Sequence, residues 1–311
     1  KYTDYKLGTT EEEIGSSFNL NNNNNFLLTT YKGLLNDAWK IDLGLSYSDN
    51  TNDANILFNV GDDGVIEAPI NINSYDDLLQ FRTVLTKKIF SRSKVKFGFH
   101  IFDQTSEFMN YNFIEDNEAE SNQINIDEYL STAFTEIDLR LSRKFALNSG
   151  LRYEKSYLLD KSSISPRFSM AYKTGKYSQI SYAFGEYFQT PDIGFDQWYR
   201  QNNIDYREFN IADLEFEQST HHILNYEWNK DDITLRLEAF NKEYDDLIII
   251  PENPMDDIIY SPNILSNSGD GYSRGFEMFW RNDQSRDGEG KDIWVAYSYL
   301  DSKRTFKHYY P

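Results

Sequence analysis

Along most of this chain, apolar and polar residues alternate with a period of two. One run places Trp39, Ile41, Leu43, Leu45 and Tyr47 on one parity, against Lys40, Asp42, Gly44, Ser46 and Ser48 on the other. Successive strand side chains point to opposite faces, so the run predicts a strand with one apolar and one wet face. The pattern recurs with Val95, Phe97, Phe99 and Ile101 against Lys96, Gly98 and His100. It recurs again with Ala133, Thr135, Ile137, Leu139 and Leu141 against Glu136, Asp138 and Arg140, and with Ile233, Leu235, Leu237 and Ala239 against Thr234, Arg236 and Glu238. The clearest unit is 163–192. Ile164, Phe168, Met170 and Tyr172 precede Thr174-Gly175-Lys176, and Ile180, Tyr182 and Phe184 follow it. Two such runs around a short Gly-containing loop predict an antiparallel hairpin.

Read in order, the runs give about a dozen consecutive strands, many of ten residues or more, above the usual length in soluble sheets. Their connections alternate between short and long. Tight turns are expected at 91–93, 143–144, 174–176 and 229–232, and long polar connections at 49–77, 109–127, 188–215 and 249–271. The last contains Pro251, Pro254 and Pro262 and is no central strand. In an up-and-down sheet every second connection lies at the same end, so one end is tight turns and the other long loops. Barrels of the bacterial outer membrane are built this way, with the short turns on the periplasmic side. The expected fold is therefore all-β: an antiparallel up-and-down transmembrane β-barrel wall. A soluble all-β surface module that binds glycans, or a passive porin, are the rival readings. Parity then predicts that Ile41, Leu43, Leu45, Phe97, Phe99, Phe168, Tyr182, Leu235 and Leu237 face lipid. Asp42, Lys96, Arg140, Arg167, Arg236 and Glu238 should face inward, because a Lys or Arg at the bilayer midplane costs about 2–4 kcal/mol.

Composition narrows the reading. Aromatics make up 16% of the 311 residues, with 23 Tyr and 22 Phe, which suits the interfacial girdles of a membrane barrel. The net charge of −19 argues against nucleic acid as a partner, since phosphate binding needs surplus Lys and Arg. No cysteine is present, which excludes disulfides and thiolate metal sites. No apolar run is long enough for a transmembrane helix. The first residues lack the apolar centre of a signal peptide, so an exported protein would begin upstream of Lys1.

Six short motifs, in order, resemble those of TonB-dependent outer-membrane receptors. They are Ser165-Pro166-Arg167 with Ala171-Tyr172; Phe188-Gln189-Thr190-Pro191; Leu214-Glu215-Phe216-Glu217; Ala239-Phe240 with Asp246-Leu247-Ile248; Asn267-Ser268-Gly269 with Arg274-Gly275-Phe276-Glu277; and 295–302. Phe216 stands where the family usually has Pro. The combination is similar to receptors of the Bacteroidetes type. The match covers most of 163–303, while 1–162 agrees only in style. The resemblance implies about 12 strands of a 22-stranded barrel whose lumen is filled by an N-terminal plug. It also implies coupling to the TonB complex through that plug, which these residues do not include, and active uptake of a scarce nutrient. An iron chelate, a cobalamin-like compound, an oligosaccharide or a peptide would all fit. On this reading 1–311 is part of one barrel domain that should not close on itself.

No catalytic constellation, cofactor motif or EF-hand spacing is found, and no enzymatic activity is expected. Of the four histidines only His221 and His222 are adjacent, and adjacent strand residues point apart, which makes a poor metal pair. The one segment with binding character is 188–215, where Trp198, Tyr199, Arg200, Tyr206 and Arg207 combine rigid aromatics with guanidinium groups. These are the candidate ligand-binding residues, with help expected from 249–271.

Overall fold

A computed structural model of the protein describes residues 15–59, 66–90, 92–113, 119–191, 211–249, 266–284 and 290–305. Among these residues twelve strands form one sheet: β1 (Gly15–Leu34), β2 (Trp39–Asn59), β3 (Ile66–Phe90), β4 (Ser93–Phe113), β5 (Ala119–Arg140), β6 (Phe145–Ser156), β7 (Lys161–Tyr172), β8 (Ser178–Gln189), β9 (Glu217–Lys230), β10 (Ile233–Ile249), β11 (Ser266–Asp283) and β12 (Asp292–Arg304). Each strand pairs antiparallel with its sequence neighbour, in the order β1 to β12. Among the described residues β1 and β12 are the two edges and do not pair with each other, so the wall they form is open.

The register carries one apolar face across the whole sheet. Tyr31, Leu43, Thr83, Phe99, Ala133, Tyr153 and Ile164 are successive cross-strand partners. Met170, Tyr182, Leu224, Ala239, Phe276 and Tyr299 continue the same face on β7 to β12. Every residue expected to face lipid lies on this face, and every residue expected inward lies on the other. The apolar face is also solvent-open, with Leu45 49% and Leu151 51% exposed. Shallow hollows on the opposite, polar face, lined by Asp42, Arg82, Lys96 and Glu136 at one point and by Arg140, Asn148 and Asn225 at another, mark it as concave. The concave side is thus the polar lumen wall. Several of its charges are paired: Lys96 donates to Glu136 at 2.7 Å and Asn148 to the same oxygen at 2.9 Å. Arg152 donates through Nε to Glu154 at 3.0 Å, and its other nitrogen reaches the Thr132 hydroxyl at 3.3 Å.

Aromatics bracket the apolar band. Trp39 and Phe145 stand where β2 and β6 leave tight turns, and Tyr47 and Tyr153 stand about eight residues further on, about 26 Å along the strand. At a strand tilt of about 40° that is about 20 Å along the membrane normal, most of the roughly 25 Å apolar band of a membrane barrel. Beyond it the outward face turns acidic: Asp49 pairs with Asp77, Asp77 with Thr105, and Thr105 with Asp127.

The wall is uneven in height. β6, β7 and β8 have 12 residues each, enough to cross a bilayer at a tilt, whereas β3 has 25 and β5 has 22. Most of 49–77 and 109–127, expected as loops, therefore continues β2 to β5. Above the membrane both strand faces meet water, so the alternation that marks a strand in sequence disappears. Polar pairs hold these extensions together instead. Asn22 donates to Asn50 at 2.9 Å, Asn52 to Ser74 at 3.2 Å and Ser106 to Asp76 at 2.6 Å.

Candidate functional site

The long connections leave the sheet at one end, and there the described residues form a clasp. β8 ends at Gln189, followed by Thr190 and the buried Pro191. The chain returns through a single 3-10 turn, Ile211–Asp213, and buries Leu214 and Phe216. The Phe216 ring meets Phe188 edge-on at 6.3 Å, so both ends of the connection share one apolar contact. β10 ends nearby in an irregular register, with Asp246 at φ 56° and bulges on either side of Leu247. The bulges break the alternation and allow Leu247, Ile248 and Ile249 all to be buried.

One side chain ties these ends together. The Asn267 amide donates to the Glu215 carbonyl at 3.1 Å and to the Asp246 carbonyl at 2.7 Å, while its oxygen accepts the Glu215 N–H at 2.8 Å. Glu217 accepts the Ile248 N–H at 3.0 Å and lies 3.5 Å from Arg304. Lys161 pairs with Glu215. At Gly269 an added Cβ would meet the Leu247 carbonyl oxygen at 2.8 Å, closer than real Cβ contacts allow, so β10 and β11 approach there only because position 269 has no side chain. The clasp fixes the bases of segments 192–210 and 250–265.

Beside Thr190, Glu128 on β5 is buried at 7% exposure, with one carboxyl oxygen lacking a hydrogen bond. Burial pushes its carboxyl up, the nearby Glu154 adds to that, and a hydrogen bond with Thr190 opposes it. In the tip of the β6–β7 turn, Asp160 is held below the usual carboxylate range by Lys155, 2.5 Å away. The histidines separate as expected. His222 joins Tyr182 on the apolar face at 2.8 Å, and on the other face the His221 and Tyr187 rings meet at a tilt with centres 4.7 Å apart. Arg167 lies over the same Tyr187 ring at 4.6 Å.

The five candidate ligand-binding residues, Trp198, Tyr199, Arg200, Tyr206 and Arg207, lie outside the described residues. Sequence reasoning did not find the clasp, although its members were in view: Thr190-Pro191, Glu215 to Glu217, Asp246 to Ile248 and Asn267 to Gly269 are all motif residues. The signal was present as a family pattern without a physical reason, because each partner lies far away in sequence.

A family model described as "TonB dependent receptor-like, beta-barrel" matches residues 2–310. The chain belongs to the TonB-dependent receptors. It is accordingly an outer-membrane β-barrel wall, from a family of receptors and transporters. The ferric yersiniabactin uptake receptor FyuA from Yersinia pestis superposes with a TM-score of 0.65 at 13% identity, over 94% of this chain and 44% of that one. The pyoverdine outer membrane receptor FpvA from Pseudomonas aeruginosa PAO1 gives 0.67 at 10% identity, over 94% and 45%. The RagAB peptide importer gives 0.63 at 7%, over 95% and 37%. Such identities carry the fold alone, and the chain spans less than half the length of these three proteins. Among curated protein sequences none matches.

Proposed function

We propose that this chain is one contiguous part of a single barrel domain of an active outer-membrane importer, driven by the TonB complex through a plug outside these residues. Its cargo is a scarce nutrient: an iron chelate, a cobalamin-like compound, an oligosaccharide or a peptide. Similar folds carry names with ferric yersiniabactin, pyoverdine and peptide in them, so the barrel wall itself is compatible with several cargo chemistries. The observation that carries the reading is the clasp. A rigid base under 192–210 and 250–265 is what a binding loop needs to present anchors at low entropic cost. Within 192–210, Trp198, Tyr199 and Tyr206 offer stacking faces, and Arg200 and Arg207 offer bidentate donors to an anionic cargo in an acidic surrounding.

The test is binding and uptake by the complete receptor. Trp198→Ala and Arg200→Ala should each weaken cargo binding about thirtyfold, or about 2 kcal/mol. A change within 174–176, at the other end of the barrel, should leave binding unaltered. If both loop variants bind like wild type, recognition lies elsewhere in the receptor.

A further inference from the structure

The chain is strongly acidic overall, yet from β3 to β9 its tight-turn end is not. Lys87, Arg92, Lys144, Lys173, Lys176 and Lys230 gather at the turns that join β3 to β4, β5 to β6, β7 to β8 and β9 to β10. Among the described residues few acids oppose them: Asp37, Asp231 and Asp232 stand in turns, while Asp283 and Asp292 are engaged by Arg281 at 2.9 Å. Several cations on the lumen face behave differently. Lys94, Lys96, Arg152 and Arg236 each have a carboxylate partner. Among the described residues, none of the six turn-end cations has a carboxylate oxygen within 4.0 Å. A cation left unpaired beside a membrane takes its counter-charge from the membrane or the solvent.

Their position selects the membrane. Lys87 pairs across the sheet with Trp39 on the lipid face, with its ammonium 5.1 Å from the ring centre. Lys230 sits two residues from Trp228 on the same face, and its ammonium lies 5.8 Å from the Tyr177 ring. Lys176 approaches the same ring at 4.9 Å. Trp and Tyr rings settle at headgroup depth, and a lysine stem lying along such a ring delivers its charge to the level of the lipid phosphates. Hydrophobic anchoring and unpaired positive charge thus coincide on one rim, whereas the outward face at the other end presents Asp49, Asp77 and Asp127.

We propose that this turn-end rim, from β2 to β9, binds anionic phospholipid headgroups of the leaflet facing the tight turns, with Lys87, Lys176 and Lys230 contacting the phosphates. The inference does not depend on the cargo. The complete receptor, purified in neutral detergent, is offered equal amounts of phosphatidylglycerol and phosphatidylcholine with the same acyl chains, and retained lipid is counted by native mass spectrometry. Wild type should retain phosphatidylglycerol by at least about fivefold, because each interfacial lysine contributes attraction to anionic lipid. The combined variant Lys87→Gln, Lys176→Gln, Lys230→Gln should lose most of that preference, while Lys242→Gln with Lys303→Gln, near the other end, should keep it. In wild type alone the preference should collapse as salt is raised, so the proposal stays testable even if the triple variant does not assemble. Equal retention of the two lipids by wild type would overturn it. So would full preference in the triple variant, insensitivity to salt, or complete displacement of the lipid by millimolar inorganic phosphate.

Discussion

The two ends of these strands are held by different kinds of contact. At the turn end, closure is local. Asn36 accepts the N–H groups of Ala38 and Trp39 at 2.9 and 3.0 Å, and Ser142 accepts those of Lys144 and Phe145 at 3.1 and 3.0 Å. Asp231 takes the left-handed conformation that a two-residue hairpin turn requires. At the loop end, closure runs between positions far apart in sequence, as where Asn267 joins Glu215 and Asp246 or Lys161 joins Glu215. Turns of the first kind fold with their own hairpins. The clasp can form only once β7 to β11 are already side by side, so it should be both more fragile and more consequential for binding.

The sharpest way to break this contrast is through glycine. Gly269→Val would drive a Cβ into the Leu247 carbonyl, a backbone atom that cannot step aside, and should cost about 3 kcal/mol or more. Gly175→Ala at the turn end meets only the Ser178 hydroxyl at 3.0 Å, and Gly175 does not occupy the left-handed region, so its effect should stay within about 0.5 kcal/mol. The shift of the folded band in unheated electrophoresis, together with thermal unfolding in detergent, separates the two. Equal losses would show that the clasp is no tighter than a turn.

That difference also explains what could be read from the sequence. Within the lipid band the faces were legible, because every residue from Trp39 to Tyr47 or from Ile233 to Ala239 states its side by parity. The turns at 91–93, 174–176 and 229–232 were legible from local punctuation. The upper parts of β2 to β5 were not, because Asn50, Asn52, Ser74 and Asp76 lie above the lipid band, where neither face need be apolar. Nor was the reason for Asn267, Glu217 or Thr190, whose partners are Asp246, Ile248 and Glu128.

A milder break removes hydrogen bonds without disturbing the backbone. Asn267→Ala deletes three bonds at once and should cost about 2–3 kcal/mol at the mouth, against about 1 kcal/mol or less for Asn36→Ala, whose hairpin keeps its backbone bonds. Hydrogen exchange checks this by position. Protection should fall at 211–217 and 246–249 in the Asn267 variant and only at 36–39 in the Asn36 variant. A uniform fall in both would mean that the ends are not independent.

The third effect is smaller and of opposite sign. Glu128 is raised above its ordinary value of 4.5 by burial, so the protonated form suits the folded mouth. A raised carboxyl contributes stability at low pH and loses that contribution as pH climbs through the folded value. Glu128→Gln mimics the protonated state, keeps a partner for Thr190 and should stabilise the loop end by about 1 kcal/mol near neutral pH. The gain should vanish below pH 4.5, and an unfolding series against pH that shows a constant offset would sink the titration argument.

The smallest expected effect lies at Asp160, where two roles of one residue can be separated. Its φ of 53° demands a residue that tolerates the left-handed region, and Asn tolerates it as well as Asp. Asp160→Asn therefore keeps the turn and deletes only the charge that pairs with Lys155. Because Lys155 depresses the folded carboxyl below its ordinary 3.8, the pair contributes stability above that value. The contribution is lost as pH falls through the lower folded value. The side chain is solvent-exposed, so screening by water and salt keeps the effect slight and confines it to acid. Proteolytic nicking of the β6–β7 turn, followed from pH 5 downward with an acid protease, should accelerate for wild type in that acid window and stay flat for Asp160→Asn. If Asp160→Ala, which loses the charge and also strains the turn, behaves like Asp160→Asn at every pH, then the left-handed backbone contributes nothing here. The turn would then be held from outside, by the burial of Leu159 and the bond from its N–H to Ser156.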